Sequence, residues 1–519
     1  MKLLRSTLTV GMATIASRIL GFVRDIVFAR FFGASGETDA FFLAFKIPNF
    51  MRRLFAEGSF SLAFVPVFAE VRGGGDKRAM RDLVDHVTGT LAGILLALTA
   101  LGVIAAPALL AIFAPGWLIE GRPEFELSAG MLRITFPYIL FISLTALAGG
   151  ILNSFDRFLL PALTPVLLNL SLIFAAVWLS SEFEVPVRAL AVGVFVAGVA
   201  QLAIQVPALM RIGLLPRPRW GWRHSGVRRI LHLMIPTLIG SSVAQINLLF
   251  DSVLATFLVS GSVTWLYYSD RLLEFPLGVF GVAISTVILP NLSRKFAAQS
   301  PEAFSATLDW ALRLALIVTL PAAAGLALLA EPILLTLFQY DAFTLSDVDM
   351  SALSLSAYAL GLPAFIAVKV LAPGYYARQD TRSPVRIAII AMVSNMAMNL
   401  IFVGVLLLLA FRGPHMGLAM ASSIAAYLNA GLLYRGLRSA GVYHPPDGWL
   451  RVLVAVAVAS IGMLAGLAWY TGDIAEWATW SAAERATRLL VLLISGMAAY
   501  GLLLLLAGLR KSHLEKGST

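Results

Sequence analysis

From about Leu8 to Leu506 the chain is an almost unbroken succession of apolar runs, each roughly 20 residues or longer, separated by short connections rich in Gly, Pro and charge. A run of about 20 apolar residues crosses a hydrocarbon core about 30 Å thick as a helix, and no other unpaired backbone conformation survives in lipid. The composition agrees: 59% of the 519 residues are hydrophobic and 13% charged, against about 25% charged in soluble domains, and the mean hydropathy is +0.85. The expectation is a polytopic all-α membrane protein with no sizeable soluble domain. The opening MKLLRSTLTVGMATIAS has the basic end and apolar stretch of a signal peptide, but the run continues past Arg18 without an A-x-A site. The first helix is therefore expected to stay. Cysteine is absent, which excludes disulfides and thiolate chemistry.

Spans bounded by Gly, Pro and charge fall at about 8–32, 37–69, 82–113, 126–153, 158–180, 186–211, 227–259, 263–295, 304–338, 350–377, 384–410, 415–437, 450–471 and 486–509. That is fourteen transmembrane helices, so both termini share one side. Lys and Arg collect on alternate connections, including Arg72 to Arg81, Arg211 to Arg229, Arg378 to Arg386 and Arg435 to Arg451. The opposite set is acidic, with Glu120, Glu124, Glu126, Glu182, Glu184, Asp341, Asp347, Asp349, Asp473 and Glu476. Cytoplasmic connections carry the basic excess, which puts both termini in the cytoplasm.

An internal repeat is also visible. Asp25-x3-Ala29-x-Phe31 recurs as Asp251-x3-Ala255-x-Phe257, FSLAFVP ending at Pro66 resembles ISTVILP ending at Pro290, and NSFDRFLLP ending at Pro161 resembles YARQDTRSP ending at Pro384; the offsets are 223 to 226. A repeat of six helices, an even number, gives two halves of like topology, an arrangement of transporters with a mid-membrane site between them. The expected organisation is an N-terminal lobe at 1–212, a cytoplasmic linker at 213–226, a C-terminal lobe at 227–440, and a terminal helix pair with a cytoplasmic tail at 441–519.

Charges inside the spans carry the chemistry. The first span holds Arg18, Arg24 and Asp25, which together cost roughly 8–10 kcal/mol on insertion scales before pairing. Helical geometry places Arg18, Gly21 and Asp25 on one face with Ser17 and Arg24 at its flank, a polar stripe that calls for a cavity. The second span places Asp39, Lys46 and Arg53 seven apart, with Glu57 four beyond Arg53 and Asn49 and Arg52 on an adjoining strip; the eighth holds Asp270, Arg271 and Glu274. Ion pairing between helices is one reading of these groups. For Arg18, Arg24 and Arg52 the neighbouring carboxylates are too few, and the residual positive charge points to an anionic ligand; the planar fork of arginine suits phosphate, and several around one cavity suit a diphosphate. Arg313 and Lys369 stand as single intramembrane cations, either functional or snorkelling to an interface.

Soluble-enzyme signatures are missing: no G-x-x-x-x-G-K-[ST], G-x-S-x-G or H-E-x-x-H occurs. Gly73-Gly-Gly-Asp-Lys77 reads as a connection rather than a phosphate loop, and Asp347-Val-Asp349 as a helix-edge pair rather than a metal site. No catalytic residue, metal or cofactor is expected, and transport would draw on an ion gradient or the membrane potential.

The strings SRILGFVRD, DAFFLAFKIPNFMRRLFAEGSFSLAFVPVFAE, SGSVTWLYYSDRLLEFPLGVFGVAISTVILP and YYARQDTRSPV resemble those of the MurJ (MviN) lipid II flippases, members of the multidrug/oligosaccharidyl-lipid/polysaccharide exporter superfamily. The likeness runs from the first residues to about Tyr434. It implies two six-helix lobes forming a V around a cationic cavity, and a terminal helix pair contributing a groove for a lipid tail. It implies as substrate the undecaprenyl-diphosphate-linked disaccharide pentapeptide, moved from the inner to the outer leaflet of the bacterial cytoplasmic membrane for peptidoglycan synthesis. Arg18, Arg24 and Arg52 match the family's cavity arginines, Arg271 matches the arginine of its YY-x-D-R-L-x-E-F-P motif, and Asp39 and Glu57 match carboxylates on which the family depends. For a coupling sodium ion, Asn247 and Asp251 are the candidates in helix seven, with Asn395 and Asn399 in helix eleven.

The expected mechanism is alternating access. Arg18, Arg24, Arg52 and Arg271 bind the diphosphate, Asp39 and Glu57 pair with those arginines when the cavity is empty, and Asp25, Asn49, Arg53 and Glu274 line or gate it. Lipid II, membrane lipids and the cell-wall synthesis or division machinery are the expected partners, with no nucleic acid. The alternatives are an exporter of another polyprenyl-linked glycan or of a drug, and a lipid-linked glycan polymerase using Asp39 or Glu57 as base.

Overall fold

The computed structural model describes the backbone of residues 2–52 and 60–508, and the side chains of that range apart from 2–9, 62, 236–248 and 282. Among the described residues every regular element is helical, as lipid demands of backbone that cannot be left unpaired. Among the described residues, eleven helices are long and apolar enough to cross a membrane, from Lys77–Ile104 to Ala482–Leu506. The Lys2–Phe32 and Ser225–Ala255 helices have 31 residues each, about 46 Å of rise, which is also a crossing length. Apolar side chains face outward along these spans: Ile104 is 78% exposed and Trp469 90%, the inverse of a soluble surface.

The chain forms two compact units, 1–264 with 340–343, and 265–339 with 344–519. The division at Thr264 and Trp265 lies one helix beyond the 213–226 linker. The reason is packing: Val227 and Ile230 of Ser225–Ala255 join a buried cluster with Phe64 and Phe68 of Ser61–Gly73, Val84 and Val87 of Lys77–Ile104, and Ile151 and Leu152 of Tyr138–Ser154.

In the first unit, prolines break the long spans. Lys77–Ile104 yields to Ala106–Phe113 at Pro107, and Pro123–Thr135 yields to Tyr138–Ser154 at Pro137, because each proline removes a helical N–H and crowds the preceding turn. Lys77–Ile104 is started by Asp76, whose carboxylate accepts from Arg78 N at 2.7 Å; Gly73 to Lys77 is thus a helix-to-helix turn. The Lys2–Phe32 helix ends at Gly33, at φ +59°, where a Cβ would lie 2.3 Å from the Ala342 carbonyl oxygen. Only glycine fits both the left-handed backbone and that approach.

In the second unit, Leu345–Tyr376 packs along Met416–Ser439 and Pro301–Leu328. Small residues make the closest seam: the Ser423 hydroxyl donates to Ala357 O at 2.7 Å, and a Cβ on Gly361 would meet Ser423 Oγ at 2.5 Å. Backbones approach where side chains are short, which is how helices adhere when lipid offers no hydrophobic incentive. Asp347 serves the start of this helix. It forms a capping box with Thr344 and accepts from Trp265 Nε1 at 2.9 Å.

The terminal helices Trp449–Thr471 and Ala482–Leu506 pack on each other, and the first of them on Pro301–Leu328. Here the reading of Arg313 as a single cation is corrected. Its Nε pairs with Asp309 at 2.7 Å, one turn earlier on the same helix, and its guanidinium lies 5.3 Å from the Trp449 ring. Asp309 also accepts from Tyr443 OH and Trp449 Nε1, both at 2.7 Å. A buried arginine needs such a counter-charge, and this one ties the start of the terminal pair to the unit. At the far end, buried Arg485 donates to the carbonyls of Trp477, Ala478, Leu335 and Gln339 and to Gln339 Oε1.

Candidate functional site

The first helix carries its charges at two levels of exposure. Arg18 is exposed, whereas Arg24 is 8% exposed and Asp25 fully buried. Arg24 donates through Nε and Nη2 to Asp25 Oδ1 at 3.0 and 2.6 Å, and through Nη1 to Asn169 Oδ1 at 3.1 Å. Asn169 Nδ2 in turn donates to Ser17 O at 3.0 Å, and the Phe28 ring lies 5.6 Å from the guanidinium. Asn169, 6% exposed on Leu159–Phe174, thus clips that helix to the polar stripe at two heights. The amide accepts from the arginine through its oxygen while donating to a carbonyl through its nitrogen. The sequence reading did not single out Asn169; its signal is a lone amide in the apolar run Leu167-Leu-Asn-Leu-Ser-Leu172.

On Gly36–Arg52, Arg52 donates from Nε and Nη2 to Asn49 Oδ1 at 3.0 and 2.8 Å, so the adjoining strip expected of these residues forms one hydrogen-bonded pair. Lys46 Nζ bonds the Ser252 hydroxyl. Arg53 and Glu57 lie outside the described residues, as does the side chain of Asn247; Asp251 is half-buried on Ser225–Ala255.

Asp39 differs from expectation. Rather than an arginine, its carboxylate meets the start of the Ser262–Pro276 helix, accepting from Gly261 N at 2.7 Å, Thr264 N at 2.7 Å and Thr264 Oγ1 at 2.6 Å. At 2% exposure the carboxylate is held by amides that would otherwise be orphaned at a helix N-terminus, and the positive end of that helix complements its charge. Nearby Ser260 donates to Glu124 Oε1 at 2.6 Å and Arg122 Nη1 to Leu258 O at 2.6 Å. Polar cross-links therefore cluster on the short turn 256–261.

In the second unit Arg271 Nη1 pairs with Glu274 Oε2 at 2.9 Å, and both remain partly exposed. Asn395 and Asn399 are buried and bonded to each other at 3.1 Å, with Asn395 also donating to Ser422 Oγ at 3.3 Å. Chemically, the Arg24 fork is held by the Asp25 carboxylate and the Asn169 amide, and the Arg52 fork by Asn49; a planar guanidinium fork is the geometry that matches phosphate oxygens.

Comparison with known proteins decides the family. Residues 28–487 match the family model described as lipid II flippase MurJ. The chain belongs to the MurJ family. A probable lipid II flippase MurJ of Vibrio cholerae is 48% identical over 520 aligned positions, covering 99% of this chain and 98% of that one. The lipid II flippase MurJ of Burkholderia cenocepacia is 42% identical over 92% of each. A solved structure of lipid II flippase MurJ in an inward closed conformation superposes with a TM-score of 0.78 at 28% identity, covering 96% of this chain and 98% of that one. An inward-facing multidrug transporter of the MOP superfamily shares the fold, with a TM-score of 0.65 at 15% identity over 82% of this chain and 95% of that one. The chain is thus a multi-pass membrane protein of a flippase family.

Proposed function

We propose that this chain carries lipid II, the undecaprenyl-diphosphate-linked peptidoglycan precursor, from the inner to the outer leaflet of the bacterial cytoplasmic membrane, and so serves cell-wall growth. It is a transporter and not an enzyme. The observation that carries this reading is the family match across residues 28–487, and the cationic network on the first two helices supplies its chemistry. Arg18, Arg24 and Arg52, with Arg271, take the diphosphate, whose oxygens replace Asp25 and solvent as acceptors. Asp25 neutralises Arg24 when no substrate is bound, the role first expected of Asp39, while Asp39 holds the turn before Ser262–Pro276 and acts as a gate. Exchanging one acceptor for another keeps the buried arginine paired throughout, which limits the cost of each step.

Fourteen spans in two six-helix lobes with both termini in the cytoplasm, alternating access between them, a tail groove at the terminal pair, and coupling to the membrane potential or to sodium belong to the same proposal. So do contacts with the cell-wall synthesis or division machinery. The test is an outer-leaflet accessibility assay for lipid II after depletion of the native protein. Arg→Ala at 18, 24, 52 or 271 leaves protein in the membrane and abolishes delivery, with lipid II accumulating in the inner leaflet. Normal delivery by all four variants would overturn the assignment, and outer-leaflet accumulation on depletion would favour a polymerase.

A further inference from the structure

The basic connection Leu214-Leu-Pro-Arg-Pro-Arg-Trp-Gly-Trp-Arg-His224 is a built strap, not a loose loop. Arg217 N donates to Asp85 Oδ1 at 2.7 Å, Arg219 N to Asp85 O at 3.0 Å, and Gly221 N to Thr90 Oγ1 at 3.0 Å. Asp85 is 3% exposed. A Cβ on Gly89 would lie 2.2–2.4 Å from backbone atoms of Arg219, and one on Gly93 would lie 2.6 Å from the Trp220 ring. Asp85, Gly89 and Gly93 are four apart, so one face of Lys77–Ile104 is shaped to receive the strap.

The level at which it lies is informative. Lys77, Arg78, Arg81, Asp82 and Asp85 crowd the first turns of that helix, and from Val87 to Ile104 it bears no charge. Asp85 to Gly93 spans about 12 Å of helix across that boundary. Arg219 sits beside Asp85 on its charged side, and the Trp220 ring beside Gly93 on its apolar side. Indoles at the rim of the hydrocarbon and arginines among the headgroups are the pattern of an interfacial anchor.

The outward side stays open. Trp220 is 64% exposed and Trp222 52%, their rings 6.4 Å apart and within 14° of parallel, and Arg217, Arg219 and Arg223 are exposed. Together with Gly221, Arg223, His86 and His224 the two indoles line a cavity of about 450 Å³. Its inner wall is the stacked pair His86 and His224, ring centroids 4.8 Å apart. Asp82 is the carboxylate that faces them, its Oδ2 3.1 Å from His224 Nε2 and its Oδ1 3.3 Å from His86 Nδ1. A metal suits this trio poorly. His224 Nδ1 accepts from Gly226 N at 3.2 Å, so in the neutral ring Nε2 keeps the proton and has no lone pair to offer.

We infer that this strap is a binding site for the phosphate headgroup of an anionic phospholipid of the inner leaflet, distinct from the transported substrate. Arg217, Arg219 and Arg223 supply the charge, and Trp220 and Trp222 clasp the glycerol and upper acyl region. The strap's position on Lys77–Ile104 would then be set in part by the surrounding lipid.

The experiment titrates phosphatidylglycerol, and separately phosphatidylcholine, onto the purified full-length protein in mixed micelles, with binding read by native mass spectrometry. Each cation in the headgroup layer is worth about fivefold. The triple variant R217Q/R219Q/R223Q therefore weakens phosphatidylglycerol binding about 100-fold and leaves phosphatidylcholine unchanged. A variant W220S/W222S weakens both. In the wild-type protein, phosphatidylglycerol affinity falls as salt is raised from about 50 to 300 mM, as screening of exposed charges requires; this arm needs no substitution. Equal phosphatidylglycerol affinity in the triple variant and the wild type, or a salt-independent affinity, overturns the inference. So does a triple variant that loses undecaprenyl diphosphate but keeps phosphatidylglycerol, which would give the strap to the substrate's path.

Discussion

Replacing Asp39 by alanine tests a buried carboxylate that accepts three hydrogen bonds. The substitution strips two backbone N–H groups, Gly261 and Thr264, of an acceptor at 2.7 Å, and the Thr264 hydroxyl of one at 2.6 Å. Ser262 and Thr264 are fully buried, so the amides have no ready substitute. A buried donor left unsatisfied costs about 1–3 kcal/mol, giving about 2–6 kcal/mol for the pair. Two effects pull this down: a water molecule can enter the space the side chain leaves, and the desolvation cost of the carboxylate itself disappears. The expectation is about 2–3 kcal/mol, a rise of about 30- to 150-fold in the local opening equilibrium. Hydrogen–deuterium exchange reads it directly, because amide exchange there follows local opening. The peptide covering 259–266 exchanges faster by that factor in Asp39→Ala, while peptides within Leu345–Tyr376 keep their wild-type rates. Asp39→Asn retains one acceptor oxygen but turns an NH2 group toward an N–H donor, and falls between. Wild-type exchange of 259–266 in Asp39→Ala would refute the capping role.

Two further outcomes follow from other networks. Asn169→Asp keeps an acceptor for Arg24 Nη1 but adds a second carboxylate beside it and forfeits the bond to Ser17 O; undecaprenyl diphosphate affinity drops at least about tenfold, and unchanged affinity would remove Asn169 from the site. Tyr443, in the connection before Trp449–Thr471, has its phenol pushed above the ordinary tyrosine value by burial and then by the hydrogen bond to, and charge of, Asp309. The folded protein therefore holds this proton more tightly than the unfolded chain. Its contribution to stability is complete below about pH 10 and declines as pH rises beyond. Melting temperatures between about pH 8 and 11 fall less steeply in Tyr443→Phe, and an identical slope would count against the reading.

The membrane class, the helical content and the presence of charges within the SRILGFVRD helix were legible before any coordinate, because hydrocarbon length and the cost of intramembrane charge act on one residue or one helix at a time. Residues that work across the chain were not. Arg313 read as a lone cation although Asp309 stood one turn away; two more of the groups that complete the network, Tyr443 and Trp449, lie more than 130 residues further along the chain. Asp39 read as an arginine partner, yet its acceptor oxygens meet amides more than 220 residues along. Asn169 offered only the weak signal of a lone amide in an apolar run, and the Gly89 and Gly93 face offered none, because a small or amide residue there gains meaning only once its neighbour is known.

What the sequence determined by itself is therefore the solvent of the fold, the secondary structure and the sign of charge that the first helices carry. Which acceptor holds Arg24, which helix start Asp39 caps, and that the 214–224 segment is fastened to Lys77–Ile104 were decided only by tertiary structure. Hydropathy and charge are properties of the residue, whereas a hydrogen bond needs two groups within about 3 Å, and chain folding alone brings them there.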